Sequence, residues 1–473
     1  MDYGSELRAL ETPIPGLLLF QLPVHGDNRG WFKENWQREK MLELGLPDFG
    51  PVQNNISYNS SRGTTRGIHA EPWDKYISVA TGSVFGAWVD LRPGASFGAV
   101  FTTVLNPSTA IFVPRGVANS FQTLEEETAY TYLVNDHWSA EAQSLYTFVN
   151  LADPTLKIDW PIPLSESVIS EKDLNHPLLA DISPMMPKKT LVLGANGQLG
   201  RALRKLAVEK DITHWHFADR STIDLFDRDS LSSVPWSEYE TVINAAAFTR
   251  VDDAETAQGR QNAWAVNATA VSEIARHCRA HNVTLLHVST DYVFDGTSHL
   301  HNEDEPLTPL GVYGQSKAAG EMAVRALAKH YVLRTSWVVG DGANFIETMA
   351  SLAKRGVEPH VVNDQCGRLT FADDLALGIE KILTLRPEYG VYNISNDGDP
   401  ATWFDIAARV FETLGLPTTL VHGVSTEQYF SSSETPVAPR PLNSTFSLDK
   451  LRSSGISMPD QWVSLSQYLA RRT

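Results

Sequence analysis

The chain has 473 residues, 42% hydrophobic and 20% charged, with two cysteines and a formal net charge of −17. That length exceeds one ordinary core and asks for two or three domains, and two thiols exclude a disulfide framework or a cysteine-rich metal site. The acidic balance excludes general nucleic-acid binding, which needs a basic face, but leaves room for a nucleotide in a local basic pocket. No apolar run is long enough to span a membrane, and the opening MDYGSELRALETPIPG has no secretory pattern. The expectation is a cytoplasmic protein with reduced thiols and no membrane partner.

From about 15 to 150, short apolar and aromatic runs alternate with turn residues, as in GLLLFQLPVHGDNRGWF, YISVATGSVFGAWVDLRPG and TAYTYLVNDHW. Few carry a helical period, so this part is predicted to be an all-β sandwich or barrel. A lone histidine, His69, lies here between Arg66 and Lys75. Lone histidines are commonly packed or surface residues. The chemical alternative is a base that takes a proton from the carbon beside a ketone, because imidazole titrates near neutrality. A lysine would then stabilise the enolate oxygen, and arginines would suit a diphosphate.

LLADISPMMPKK, at 178–189, reads as a linker. The domains expected on either side are 1–183 and 190–473, joined by 184–189. Beyond it the pattern becomes βαβ. KTLVLGA, HWHFAD, ETVINAAA, TLLHVSTDYVF and YVLRTSWVVG read as strands. GQLGRALRKLAVEK, NATAVSEIARHCRAH and SKAAGEMAVRALAKH read as helices. The alternation predicts an α/β, doubly wound parallel sheet.

Gly194, Gly197 and Gly200 fall in GANGQLG, between strand and helix, where small residues let backbone approach a pyrophosphate. Asp219 and Arg220 end the next strand. The carboxylate suits the ribose diol of NADH and the arginine the 2′-phosphate of NADPH, so both cofactors stay open. In YGQSK, Tyr313 and Lys317 are four apart on one helix face. An isolated pair of this kind is more commonly a surface pair. As a catalytic pair, the tyrosine would give its proton to a carbonyl while the ammonium stabilises the phenolate. Thr290, at the carboxyl end of a predicted strand, supplies a third hydroxyl.

In this order, GANGQLG, NAAAFTRVDDAE, VSTDYVFDG, YGQSK, RTSWVVGDGANF and NDQCGRLT resemble the dTDP-4-dehydrorhamnose reductases. These are Rossmann-type, extended short-chain dehydrogenase/reductases. The resemblance covers about 188–473. It implies Tyr313 as general acid at the C4 carbonyl, Lys317 on the nicotinamide ribose and tuning Tyr313, and Thr290 on the sugar oxygen. It also implies cofactor contacts from Asn196, Gln198, Leu199, Ala245 and Ala246, beside the glycines, Asp219 and Arg220. Trp337, Asn344 and Arg440 fall in the substrate-binding part. Phe248 stands where relatives have a tyrosine, which removes a hydroxyl but no catalytic group.

The first half is similar to the dTDP-4-dehydrorhamnose 3,5-epimerases, small jelly-roll cupins. The likeness rests on IPGLLLF, DNRGWFKENW, VQNNIS, TRGIH, WVDLRPGASFG, FVPRGVANSF, DPTLKIDWP and SEKD, over about 8–183. It implies His69 as base, Asp173 orienting its ring, and Lys75 on the enolate. Arg29, Arg66 and Glu34 would contact the nucleotide diphosphate and base, and Phe32 the thymine. Gln53 and Asn55 would lie in the substrate pocket, and the protein would be a homodimer through this half.

Three positions depart from that family. Trp138 stands where members carry the tyrosine that acts as acid on the opposite sugar face, and an indole N–H is far too weak an acid. Glu71 replaces a glutamine and Asn119 a histidine. With so few histidines in the paired motifs, no metal set is expected here.

Together the halves imply epimerisation of dTDP-4-dehydro-6-deoxy-D-glucose at C3 and C5, then NADPH- or NADH-dependent reduction at C4, giving dTDP-L-rhamnose. One alternative is a reductase whose cupin half only dimerises or binds. A second is a non-catalytic regulatory protein, against which the Thr290, Tyr313 and Lys317 set argues. The third keeps both activities for another 4-keto-6-deoxy sugar nucleotide, or epimerises at C3 alone.

Overall fold

The computed structural model describes residues 6–138, 141–433 and 435–472, and the chain divides into two units, Met1–Pro187 and Lys188–Thr473. The first unit begins with strands β1 (Arg8–Glu11), β2 (Leu18–Gln21), β3 (Val24–Asp27) and β4 (Gly30–Lys33), then helix α1 (Arg38–Glu43). Strands β5 (Gln53–Asn59), β6 (Thr65–Ala70), β7 (Lys75–Thr81) and β8 (Val84–Asp90) follow. Then come β9 (Val100–Leu105), β10 (Thr109–Val113), β11 (Val117–Thr123), β12 (Thr128–Val134), the short β13 (Thr147–Phe148) and helix α2 (Glu171–Leu174).

Strands β3 and β4 form a hairpin, and the others pair antiparallel in two sheets, ordered β1-β2-β10-β7-β12-β5 and β13-β6-β11-β8-β9. Ile77, Val79, Trp88, Ile111 and Phe121, from both sheets, form the core between them. Period-two alternation puts these residues between the sheets, while neighbours such as Tyr76, Ala110 and Phe112 are buried on the other face, against Met41 and Phe49. Strand β5 lies outermost, with Ile56 and Tyr58 exposed.

Part of the expected linker belongs to this unit. Met185 is buried among Ile68, Val89 and Leu91, its N–H donates to Leu91 O at 2.8 Å, and Arg115 Nη1 donates to Met186 O at 2.6 Å. An apolar side chain with a place in the core docks the segment that sequence pattern alone leaves unassigned.

The second unit opens with β14 (Lys189–Leu193), α3 (Gln198–Glu209), β15 (Trp215–Ala218), α4 (Arg228–Ser232) and β16 (Tyr239–Asn244). It continues with α5 (Ala257–Trp264), α6 (Ala270–Ala280), β17 (Thr284–Thr290), α7 (Val312–Arg325), β18 (His330–Thr335) and α8 (Phe345–Lys354). The parallel sheet runs β15-β14-β16-β17-β18, closed by the strand Gly390–Asn393. Successive residues serve opposite faces: Val192 and Ile243 pack with Leu203 of α3, whereas Leu191 and Val242 pack with Ile274 of α6. The chain steps from β14 outward to β15 and then back to β16, so the order reverses at β14. Ligands in such sheets bind at the carboxyl ends beside that reversal.

YVLRTSWVVG is not one strand. Strand β18 stops at Thr335, Trp337 takes φ 45°, and Val338–Val339 pairs instead with Thr370–Phe371. The Trp337 ring stacks on Trp403 at 3.8 Å, a long-range contact that outweighs the local β-propensity.

Candidate active sites

In the first unit a pocket of about 300 Å³ is lined by Arg66, His69 and Glu71 from β6 and the turn after it, Lys75 from β7, Asn119 from β11, Tyr130 and Tyr132 from β12, and Asp173 from α2. His69 and Asp173 are 104 positions apart, yet His69 Nε2 lies 2.9 Å from Asp173 Oδ1. Ser170 caps α2 by accepting from Asp173 N, and Gly67 N donates to Asp173 Oδ2 at 3.4 Å. Burial works to raise the Asp173 carboxyl, but hydrogen bonds from His69, Gly67 and His176 hold it below its usual value. An ionised carboxylate only accepts, so His69 Nε2 carries the hydrogen and Nδ1 is left as the basic nitrogen.

Two of the three family departures meet on one ammonium. Lys75 Nζ lies 2.5 Å from Glu71 Oε1 and donates to Asn119 Oδ1 at 2.8 Å. Trp73 Nε1 donates to the other Glu71 oxygen at 2.7 Å. The side chains of Lys75 and Glu71 are only 5% and 11% exposed. Burial lowers the Lys75 pKa and Glu71 opposes that shift. Trp138, the third departure, is 59% exposed, and its backbone N–H donates to Gln53 Oε1 at 3.1 Å. It is not among the pocket-lining residues; Tyr132 is, with its ring 5.3 Å from Lys75 Nζ.

His176 was absent from the expected site. Its Nε2 lies 3.2 Å from the same Asp173 oxygen that His69 contacts. The donor atoms of His69, Asp173 and His176 fall within 4.8 Å of one another, a grouping that motif counting did not foresee. Hydrogen bonds to Asp173 Oδ1 already join the two imidazoles to the carboxylate. The N–H pattern NHP at 175–177 is a signal that sequence reading passed over.

The remaining residues expected at the substrate do not line this pocket. Arg29 pairs with Asp27, Glu34 with Lys40 at 2.5 Å, and Phe32 is exposed. Gln53 and Asn55 hydrogen-bond each other on β5 at 2.8 Å.

In the second unit, a side chain at Gly194 or Gly200 would not fit. An added Cβ would lie 2.7 Å from Ala246 N at Gly194, which has φ 82°, and 2.2 Å from Gly194 O at Gly200. The loop thus packs against Ala245 and Ala246, and α3 begins after its N-cap Gly197 at the carboxyl end of β14. Its unpaired first-turn N–H groups suit a pyrophosphate. Leu199 is buried in the core, and Gln198 Nε2 donates to Ala343 O at 3.2 Å. Asn196 Nδ2 donates to Asp219 Oδ2 at 2.8 Å, while Ser221 and Thr222 donate to Oδ1. Hydrogen bonds from Ser221 above all, with Asn196 and Thr222, hold the Asp219 carboxyl down at about 2. Arg220 is exposed over the Phe226 ring. These residues fit a nicotinamide dinucleotide.

Tyr313, near the start of α7, is buried edge-on to Tyr292 at 5.4 Å. Burial lifts its phenol to about 12, a hydrogen bond with Thr290 opposes that, and Asp291 adds to it. Thr290 Oγ1 in turn donates to Asp291 Oδ1 at 2.9 Å. Lys317 is fully buried; its Nζ donates to Val288 O at 2.6 Å and lies 3.3 Å from His287 Nε2. Burial brings its pKa down to about 8 against the pull of Glu321. The expected electrostatic lowering of Tyr313 is therefore not what this geometry delivers, because the ammonium is turned to the end of β17.

A π-turn at Ala265–Thr269 places Asn267, whose Nδ2 donates to Phe248 O and to Ser316 Oγ, both at 3.1 Å. It ties the loop after β16 to α7. Arg440 pairs with Asp252 at 2.8 Å, and both act electrostatically on Tyr292 beside Tyr313. Trp337 stacks with Trp403 at 3.8 Å. Asn344 is taken up as the N-cap of α8, accepting from Glu347 N at 3.0 Å.

The family model for dTDP-4-dehydrorhamnose 3,5-epimerase matches residues 11–181, and that for the RmlD substrate binding domain matches residues 188–473. Over 180 residues the chain is 57% identical to the protein RmlC homolog of Streptococcus pyogenes serotype M6, covering 37% of this chain and 90% of that one. Over 291 residues it is 37% identical to a dTDP-4-dehydrorhamnose reductase of Aggregatibacter actinomycetemcomitans, covering 58% and 95%. The solved dTDP-4-dehydrorhamnose reductase of Bacillus anthracis, in complex with NADP, is 32% identical, with a TM-score of 0.56 over 61% of this chain and 100% of that one. The chain belongs to the dTDP-4-dehydrorhamnose 3,5-epimerase family through its first unit and to the dTDP-4-dehydrorhamnose reductase family through its second.

Proposed function

We propose that the chain carries out two consecutive steps of dTDP-L-rhamnose synthesis, epimerising dTDP-4-dehydro-6-deoxy-D-glucose at C3 and C5 and then reducing C4. The observation that carries this is a proton-transfer set in each unit: His69, Asp173 and Lys75 about one pocket, and Thr290, Tyr313 and Lys317 at the carboxyl end of β17. The first unit is taken as a jelly-roll cupin and the second as a Rossmann-type short-chain reductase.

In the first unit His69 removes the proton beside the ketone. The electron pair moves onto the C4 oxygen, where the Lys75 ammonium stabilises it. Arg66 suits the diphosphate. Protonation from the opposite face completes the inversion, and Tyr132 is the donor we assign, since it lines the pocket and Trp138 does not. Burial pushes its phenol up to about 12, so it is protonated throughout the neutral range.

In the second unit the glycine loop and the first turn of α3 would hold NADPH or NADH, which would supply the hydride for C4. Tyr313 gives its phenolic proton to the C4 oxygen, Thr290 holds the phenol in place, and Lys317, its ammonium turned to Val288 O, is assigned to the nicotinamide ribose. Reduction draws off the epimerised ketone, and joining both units in one chain raises the local concentration of the second site.

A homodimer through the first unit completes the reading. Arg29, Phe32 and Glu34 lie on or next to the hairpin β3–β4, outside the pocket lining of their own protomer. In a dimer they would serve the partner's pocket. Both cysteines are free, in keeping with a reducing cytoplasm.

The test is deuterium incorporation from D₂O into the keto sugar without reduced cofactor, followed by NMR. Label at C3 and C5 is expected, with Tyr132→Phe losing C5 label first. Label at C3 alone in the unaltered protein would mean a different product sugar. No label would leave the first unit as a scaffold.

A further inference from the structure

We propose that His176 is a positioning residue of the epimerase, setting through Asp173 how readily His69 takes up and returns a proton. This rests on the assignment of His69 as base. Asp173 Oδ1 lies 2.9 Å from His69 Nε2 and 3.2 Å from His176 Nε2. A carboxylate oxygen accepts, so both imidazoles present an Nε2–H to one atom.

The placement of His176 is specific. Its ring stacks on Phe148 at 4.6 Å, and Phe148 meets His69 edge-on at 5.3 Å. Its own carbonyl accepts from Asn150 Nδ2 at 2.9 Å. The charged and titratable groups that act on it are Asp173 and Lys172 from its own segment and His69 from β6. Burial and the nearness of His69 lower the His176 pKa, so it stands beside Asp173 as a neutral donor.

Two donors on one oxygen compete for its charge. As the substrate C–H bond breaks, its proton moves to His69 Nδ1 and its electron pair to the C4 oxygen. Asp173 then holds an imidazolium. The His176 hydrogen bond draws on the same negative charge and weakens that hold, so the proton is given back more easily. A reversible epimerisation needs both directions.

The experiment is the pH profile of kcat/KM for C3 deuterium exchange in the full chain, its His176→Phe variant and its His176→Gln variant. Phenylalanine keeps the ring stack and removes the donor. The acid limb should then move up by roughly half to one pH unit, because Asp173 holds the protonated base more firmly. Glutamine retains an N–H, and its limb should stay with that of the unaltered chain. An equal loss at every pH in the phenylalanine variant would overturn the proposal, leaving His176 a packing residue. ¹⁵N NMR of the histidine-labelled, unaltered chain makes the same test without a substitution. Hydrogen on His176 Nε2 at neutral pH is expected, and hydrogen on Nδ1 alone would overturn it. Absence of any exchange in the unaltered chain would instead sink the epimerase reading beneath it.

Discussion

Each unit holds a buried lysine at its candidate site, but the two meet different partners. Lys75 faces a carboxylate, Glu71, and an amide, Asn119. Lys317 faces a backbone carbonyl and a neutral imidazole; Glu321, one turn along α7, is taken up by the buried Arg334. The difference follows from where each fold builds its site. In the sandwich Lys75 opens β7 inside the protein, and the turn before that strand brings Glu71 to an ammonium that would be costly without a counter-charge. In the second unit Lys317 reaches from α7 to β17, where the Val288 carbonyl and the His287 ring are at hand. The lysine proposed to stand beside an enolate thus has a carboxylate, and the one turned to the β17 carbonyl does without.

The largest expected effects separate the two units. His69→Ala should cut C3 exchange by about 10²- to 10⁴-fold while leaving reduction of supplied dTDP-4-dehydro-L-rhamnose intact. Tyr313→Phe should do the reverse, by about a hundredfold or more. Assaying each half-reaction on each variant checks this, and loss of both from one substitution would undo the division of labour.

Lys75→Met probes the buried pair itself. Exchange should fall by about 10²- to 10³-fold. The unit should also lose about 3–5 kcal/mol in denaturant unfolding, because Glu71 is left as an unpaired buried charge. Adding Glu71→Gln should restore most of the stability but not the rate. If the double variant stays as unstable as the single one, the carboxylate is not there to balance the lysine.

A smaller effect lies in pH. The Lys317 pKa is depressed, to about 8, so its charged form prevails below that pH and is lost as pH rises through it. Reduction should therefore decline above pH 8, toward a tenfold loss per unit. Tyr313, lifted to about 12, keeps its proton across that window. A reduction rate flat to pH 10 would show that the Lys317 charge is not needed. The smallest effect expected is that of Trp138→Phe, which should change C3 exchange by less than about twofold, since surface substitutions away from a site are near neutral. A large loss, measured by the same NMR exchange, would bring Trp138 into the mechanism.

Much of this was legible in the chain itself. Short apolar runs broken by turn residues, few with a helical period, pointed to an all-β sandwich or barrel, and the shift to strands alternating with helices pointed to the parallel sheet. Both are local patterns, fixed by which face of each element must be buried. The glycine loop, His69, Lys75, Thr290, Tyr313 and Lys317 were reachable as candidates for a similar reason, since each sits in a short motif whose chemistry depends on residue type and near spacing; Asp173, 104 positions from His69, came only from the family resemblance.

What only the tertiary structure decided are contacts between distant segments. Antiparallel pairing of β6 with β11 and β13 brings Asn119 and Phe148 opposite His69, while α2 delivers Asp173, and the residues just after α2 deliver His176, to the same ring. That is why Glu71 and Asn119 appear as two separate departures in the sequence and as one arrangement about Lys75 in the fold. The break at Trp337, the docking of Met185 and the use of Asn344 as a helix cap have the same origin. Local sequence sets the period of each element, but register and long-range packing decide which side chains share a partner, and with it a charge.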